Sequence, residues 1–164
     1  MRTVKAGLSR SSVQSAIREA EAYRASLPGR LEELLRRLSE IGVAAAATVV
    51  PEDTGELAAS IDLERRDGRD YAVIAACGYA AFVEFGTGVV GQGTYPGDLP
   101  AGWGYDERRT PEAHDRADPT YWYYYDRDGV LRKTRGQRAS GFMLAASEDM
   151  RRSVLKVARE VFSR

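Results

Sequence analysis

The stretch "YAAFVEFGTG" (Tyr79–Gly88) surrounds one acid with apolar residues and then stops on Gly-Thr-Gly. Three readings compete for it: a phosphate-binding loop, a catalytic acid in a hydrophobic bed, and a helix that ends sharply. Tyr79, Phe82 and Val83 recur at helical rather than alternating spacing, and Ala80 and Ala81 favour helix. Gly86 stands where a helix C-terminal glycine belongs and is expected in the left-handed conformation. The spacing therefore predicts one to two helical turns over Gly78–Phe85. A phosphate loop precedes its helix, so that free N–H groups face the anion, and it usually carries a lysine. Here the glycines follow the helix and the nearest lysine in sequence is Lys133. Glu84 lacks the second polar group nearby that a catalytic carboxylate needs. At helical spacing it points away from the Tyr79/Phe82/Val83 face, which predicts a solvated carboxylate or one paired with a neighbouring subunit.

Upstream, "SSVQSAIREAEAYRASLPG" predicts a short helix with Val13, Ile17, Ala20 and Leu27 near one face and Pro28-Gly29 at its end. Residues 1–29 thus read as an N-terminal helical extension, and residues 30–164 as a single α+β domain. In "RLEELLRRLSEIGVAAAATVVP" a longer helix carries a stripe of Leu31, Leu34, Leu35, Leu38, Ile41, Ala45 and Val49. Glu32–Arg36, Glu33–Arg37 and Arg36–Glu40 are opposite charges four apart, and Pro51 stops the helix. The period then changes. "SIDLERR" alternates with Ile61 and Leu63 on one face, Asp67-Gly68 is a hairpin turn, and "DYAVIAAC" returns as a strand covered on both faces.

Downstream, Gly88–Thr120 is rich in Gly, Pro and charge and shows no periodicity, which predicts a long loop arm that is functional or mobile until bound. "YWYYYDRDGVLRKT" (121–134) predicts a second hairpin turning at Asp128-Gly129. "FMLAASEDMRRSVLKVAREVFSR" predicts a long amphipathic helix with Met143, Met150, Val154, Val157 and Val161 on its buried face. The expected fold is α+β: a small antiparallel sheet of two hairpins packed against long N- and C-terminal helices.

At 164 residues the chain can bury a core of its own. Lys+Arg and Asp+Glu balance at 24 each, so no net field draws the whole molecule to nucleic acid or to a membrane surface. The weakly polar run Ile41–Val50 is too short to span a bilayer, and Arg2 and Lys5 are not followed by the apolar core of a secretory signal. The single cysteine, Cys77, rules out an intramolecular disulfide framework, suits a cytoplasm and is expected as a small buried apolar residue. It lies far from His114, the only histidine, so no zinc set assembles at usual spacings. "DRDG" opens like a calcium loop, but its glycine comes too early and no glutamate follows at the twelfth position. Ser60 and Ser140 lack a Gly-x-Ser-x-Gly frame and share one candidate base, so an enzyme is not expected, nor any catalytic, cofactor or metal residue.

Two features point to surfaces. Arg132, Lys133, Arg135 and Arg138 follow an aromatic run, the charge and stacking elements of a nucleic-acid contact. In a strand, Tyr121, Tyr123 and Tyr125 face one way while Trp122 and Tyr124 face the other, so both faces are apolar with polar tips. These five aromatics, with Trp103 from the loop, are the expected interface residues, and self-association is the favoured inference.

Three ordered segments carry a resemblance: "PEDTGELAASI", with Asp53, Thr54, Gly55, Leu57 and Ser60; "YAAFVEFGTG", with Tyr79, Val83, Glu84, Phe85, Gly86 and Thr87; and "GFMLAA", with Phe142 and Met143. Together they resemble the head–tail joining (tail-completion, minor tail-component, neck) family of long-tailed phages and prophages, over about 31–162. The loop and aromatic hairpin resemble a longer variant in prophage members. The chain departs from the pattern in its first 29 residues and in Ala139-Ser140-Gly141, where members often have Arg-Pro. The resemblance implies a structural virion protein without bond chemistry or cofactor, assembled in the bacterial host cytoplasm. It would form a ring, six-fold expected and twelve-fold the alternative, between a head connector or stopper and the tail tube or terminator. In that picture Thr87-Gly88 launches a docking arm that orders on assembly. A tail terminator or minor tail protein is the near alternative, and a small DNA-contacting module using the basic 132–138 strand the distant one.

Overall fold

The computed structural model describes residues 7, 9–51, 55–66, 70–106 and 108–163. Asp53 and Thr54 and the Asp67-Gly68 turn lie outside them. The chain runs α1 (Arg10–Val49), α2 (Glu56–Ala59), β1 (Ile61–Arg66), β2 (Asp70–Ala75), α3 (Ala80–Phe85), α4 (Gly88–Gly91), a 3₁₀ turn (Pro111–Ala113), β3 (Trp122–Tyr125), β4 (Leu131–Thr134) and α5 (Phe142–Phe162). The arrangement is α+β, with the long first and last helices packed together beside two antiparallel hairpins.

The expected break at Pro28-Gly29 does not exist. One helix of 40 residues passes through both, opened by the Ser9 hydroxyl accepting from the Ser12 amide. An interior proline removes one i→i−4 bond and crowds the preceding turn, at about 3 kcal/mol in an isolated helix. Pro28 is exposed here, as is Arg24, whose carbonyl loses its donor, so water can satisfy it. Neighbouring contacts hold the turn: Arg30 lies over the Tyr23 ring, its Nε donates to Ser26 Oγ at 2.9 Å, and its Nη1 donates to the Val161 carbonyl at 2.7 Å.

The face of α1 that α5 covers is smaller than the leucine stripe suggested. Ser39, Gly42, Ala45 and Ala46 are buried, whereas Leu31 and Val49 are exposed. A Cβ on Gly42 would lie 2.9 Å from Met150 Sδ and 3.0 Å from Val73 Cγ2, so the missing side chain lets α5 and β2 approach. Val161 near Arg30, Met150 near Gly42, and Phe142 in one cluster with Ala46 make α1 and α5 antiparallel. Phe142 is fully buried at the centre of the core, among Ala46, Val50, Leu57, Ile61, Ala80 and Ala146. Met150, Val157 and Val161 follow the predicted face of α5, but Val154 is exposed.

Of the predicted ion pairs, Arg36–Glu40 forms within the helix, with Arg36 also bound to Glu33. Arg37 reaches Glu160 on α5 at 2.5 Å, and Glu32 meets Arg65 on β1 at 2.8 Å. Both charges tie α1 to its neighbours.

The hairpins do not join into one sheet. β1 pairs β2 in the register Ile61↔Ala75 to Arg66↔Asp70, and β3 pairs β4 from Trp122↔Thr134 to Tyr125↔Leu131, each as a separate two-stranded ribbon. Ile61 is buried and Leu63 half-buried, while β2 is half-covered along nearly its whole length. Gly129 closes the second turn at φ 73°. Cys77 is half-buried against the core.

Overpacking the α1–α5 contact is the sharpest test of this packing. Gly42→Val is expected to destabilise the protein by about 1–3 kcal/mol despite valine's better helix propensity. Urea denaturation measures it, and a stability equal to wild type would contradict the close approach.

Candidate functional site

α5 begins with an electrostatic problem. Its N-cap is Gly141, at φ 65°, with no side-chain cap and no acid in the first turn. The first amides of a helix have no intrahelical partner, and burying them unpaired costs about 1–3 kcal/mol each. Glu84 solves this from α3. Its Oε2 accepts from the Met143 amide at 2.8 Å, and its Oε1 from the Leu144 amide at 3.1 Å and the Tyr95 hydroxyl at 3.0 Å. Glu84 is 4% exposed, so the expectation of a solvated or intersubunit carboxylate is overturned. The α3 helix that turns it from Tyr79 and Phe82 turns it toward α5, and the positive end of α5 favours its charge. Burial first, and then the bond to Glu84, pushes the Tyr95 phenol up to about 12.

Backbone contacts reinforce the clasp. Ser140 N donates to Val83 O and Gly141 N to Glu84 O, at 2.9 and 3.1 Å. Thr87 and Gln137 form a two-way bridge, each amide donating to the other's carbonyl. Such close crossing requires glycine. A Cβ on Gly88 would lie 2.3 Å from Arg135 O, one on Gly136 1.9 Å from Thr87 O, and one on Gly86 2.7 Å from Ala139 N. Gly86 ends α3 at φ 77° and ψ 166°, an extended mirror region open essentially to glycine alone, rather than the left-handed helical one expected. Gly-Thr-Gly thus leads into α4 and a strand-like crossing.

The Gly88–Thr120 segment is not a free arm. Trp103 packs on Phe82 and Phe85, with centroids at 5.7 and 5.0 Å, and its Nε1 donates to Gly86 O at 3.3 Å. Phe85 meets Tyr95 edge-on at 5.0 Å. Further along, Tyr105 stacks on Trp122, and His114 meets both rings edge-on with its Nδ1 2.7 Å from Pro119 O. The two aromatic groups wall a cleft of about 460 Å³ floored by Gly86, Gly88 and Gly91. Among the described residues no group of His, Cys, Asp and Glu could hold a metal ion, and no helix is long and apolar enough to cross a membrane.

The aromatic hairpin divides along its length. Trp122 is half-buried in the cleft wall, and Tyr121 lies under Lys133 and Arg135. Tyr123, Tyr124 and Tyr125 are exposed, Tyr125 at 73%, as are Val130 and Leu131 across the turn. Of the basic residues, Arg132 is bound to Asp126 and Lys133 to Asp115, while Arg138 is exposed. Lys133 and the Tyr123 hydroxyl hold the Asp115 carboxyl well below the usual range. That contribution to stability is present above the ordinary carboxylate pKa and lost as acid protonates Asp115.

Of the resemblance motifs, Leu57 and Phe142 are buried, Val83 and Met143 pack against the core, and Tyr79, at the N-cap of α3, is 38% exposed. Gly55 caps α2 at φ 76°, and Ser60 closes it by donating to Leu57 O. Tyr95, Tyr105 and the cleft escaped the sequence reading, yet one signal was available. A helix opening on Gly-Phe-Met-Leu, with no Ser, Thr, Asp or Glu to cap it, must find its acceptor elsewhere. Compared with family models, with curated proteins and with solved structures, the chain matches none.

Two outcomes check the clasp. Glu84→Ala is expected to cost roughly 2–4 kcal/mol in urea denaturation, with Glu84→Gln, which keeps one acceptor, losing less. A phenol raised on folding keeps its proton while the unfolded one ionises, so stability falls as pH climbs from about 10 toward about 12. Tyr95→Phe should flatten that alkaline fall, and an unchanged slope would contradict the Tyr95–Glu84 contact.

Proposed function

We propose that this protein is a structural ring subunit of a tailed phage or prophage particle, acting at the neck or tail end to complete the tail and join it to the DNA-filled head. The observation that carries the reading is the exposed apolar hairpin end. Tyr124, Tyr125, Val130 and Leu131 project together from the end of the hairpin, Tyr125 at 73% exposure, and a patch of that kind marks an assembly surface. The Glu84 bonds supply the link to the resemblance, because they join "YAAFVEFGTG" to "GFMLAA". The partners are further copies of the chain, a connector or stopper below the head, and the tube or terminator of the tail. The ring is six-fold, to match a tail, with twelve-fold the neck alternative. Arg132 and Lys133 are engaged by Asp126 and Asp115, which favours a protein-facing hairpin over a DNA-contacting one.

Electron microscopy of particles made without this gene tests the proposal. Filled heads and free tails lying apart are expected, while overlong tails would identify the terminator instead. Tyr125→Asp with Leu131→Asp should reproduce the deletion while leaving circular dichroism and solubility unchanged. Normally jointed particles in the deletion would overturn the reading. DNA binding that weakens steeply with salt and with Arg138→Ala would favour the DNA-contacting module.

A further inference from the structure

The stripe that α1 turns toward the core does not stop where its cover stops. Eleven residues separate Leu31 from Gly42, within about 20° of three full turns, so the two share a face. Continuing toward the N-terminus, Ala20, Arg24 and Leu27 extend that face, as do Val13 and Ile17, at spacings that alternate between four and three. α5 leaves α1 near Arg30, whose guanidinium reaches the Val161 carbonyl one residue before α5 ends. Beyond it, Val13, Ile17 and Leu27 are exposed, Ile17 at 52%, as is Leu31 beside Arg30. The uncovered segment from Arg10 to Leu27 is about 27 Å long at helical rise.

We infer that a second copy of this chain covers this segment, its α1 running antiparallel to the first across a two-fold axis. The spacing is self-complementary in that orientation. With the axis at Ala22, Val13 faces Leu31 of the second copy, Ile17 faces Leu27, and Ala20 faces Arg24. Long side chains meet apolar ones at both ends, and the small alanine leaves room for the arginine at the centre. A two-fold contact repeats each pair, so all the exposed apolar residues of both stripes are used. Charge fits the same register. Arg24 is the one charged residue within the stripe, and Glu21 of the second copy stands one position from the point it faces. A parallel arrangement would set Arg24 against Arg24. The inference does not rest on the virion reading, and a two-fold contact at α1 leaves the hairpin free for a ring.

Cysteine pairing on the full chain, in a Cys77→Ala background, tests the register. Ile17→Cys and Leu27→Cys mixed under mild oxidation should give a disulfide-linked heterodimer. Neither variant alone should link to itself, because its two cysteines would stand ten residues apart along the helices, about 15 Å and beyond disulfide reach. Sedimentation velocity should show a dimer of the unmodified chain, or an assembly with an even number of copies. Ile17→Glu with Leu27→Glu should weaken the α1 contact by roughly tenfold or more while leaving circular dichroism unchanged. A wild-type chain that stays monomeric at every concentration overturns the inference. So does each cysteine variant linking to itself, or an oligomer whose mass the two glutamates do not change. Loss of the Tyr125/Leu131 surface leaves these readouts intact, so the two proposals fail separately.

Discussion

The carboxylate of Glu84 gives α5 the N-terminal acceptor that its own sequence does not supply. An isolated buried carboxylate would be expelled or neutralised, and two first-turn amides without partners would fray the helix. Together they cancel, since the positive end of α5 meets the negative charge where neither meets water. The bond spans 59 residues from Met143 back to Glu84. It fixes α3 against α5, and Phe142, the residue before those amides, is fully buried between α1, α2 and β1. The hydrophobic core and the polar clasp therefore meet in the first turn of one helix, and loosening either exposes the other.

The same economy of space governs the rest of the fold. Gly42 lets α5 and β2 close on α1, and Gly86, Gly88 and Gly136 let two backbone segments cross within hydrogen-bonding distance. Each position holds glycine for what it excludes, a Cβ, more than for flexibility. The strongest motif of the sequence serves these contacts: its acid caps, its glycines cross, and Phe85 packs against Tyr95 and Trp103. The loop that looked structureless is anchored by those aromatic contacts, which no periodicity rule detects because they join residues from unrelated places in the chain.

What the sequence revealed follows from the range of the forces involved. Helical stripes, the strand alternation at Ile61 and Leu63 and the turn at Asp128-Gly129 are local, and they were legible. The passage of α1 through Pro28 was not, because Arg30 reaches a carbonyl of α5 that is 131 residues away. Arg37 and Glu32 were assigned to helical partners and bind Glu160 and Arg65, again tertiary contacts that a weak local preference does not reveal. Glu84 was read from helical spacing alone, which gives a direction but says nothing of what stands there. The missing cap of α5 held the answer, and it required treating the absence of a polar residue as a signal.

The exposed hairpin end and the uncovered N-terminal part of α1 are apolar surfaces that the internal packing leaves open, and both proposals concern what meets them. Both presuppose a rigid frame, and the frame depends on Glu84. Amide hydrogen exchange at Met143 and Leu144 tests that most directly. First-turn amides of a helix ordinarily exchange quickly, since no carbonyl precedes them. Here both should exchange as slowly as amides in the middle of α5, and Glu84→Gln should speed these two far more than those of Val157 and Val161. Rapid exchange of Met143 and Leu144 in the unmodified chain would contradict the account.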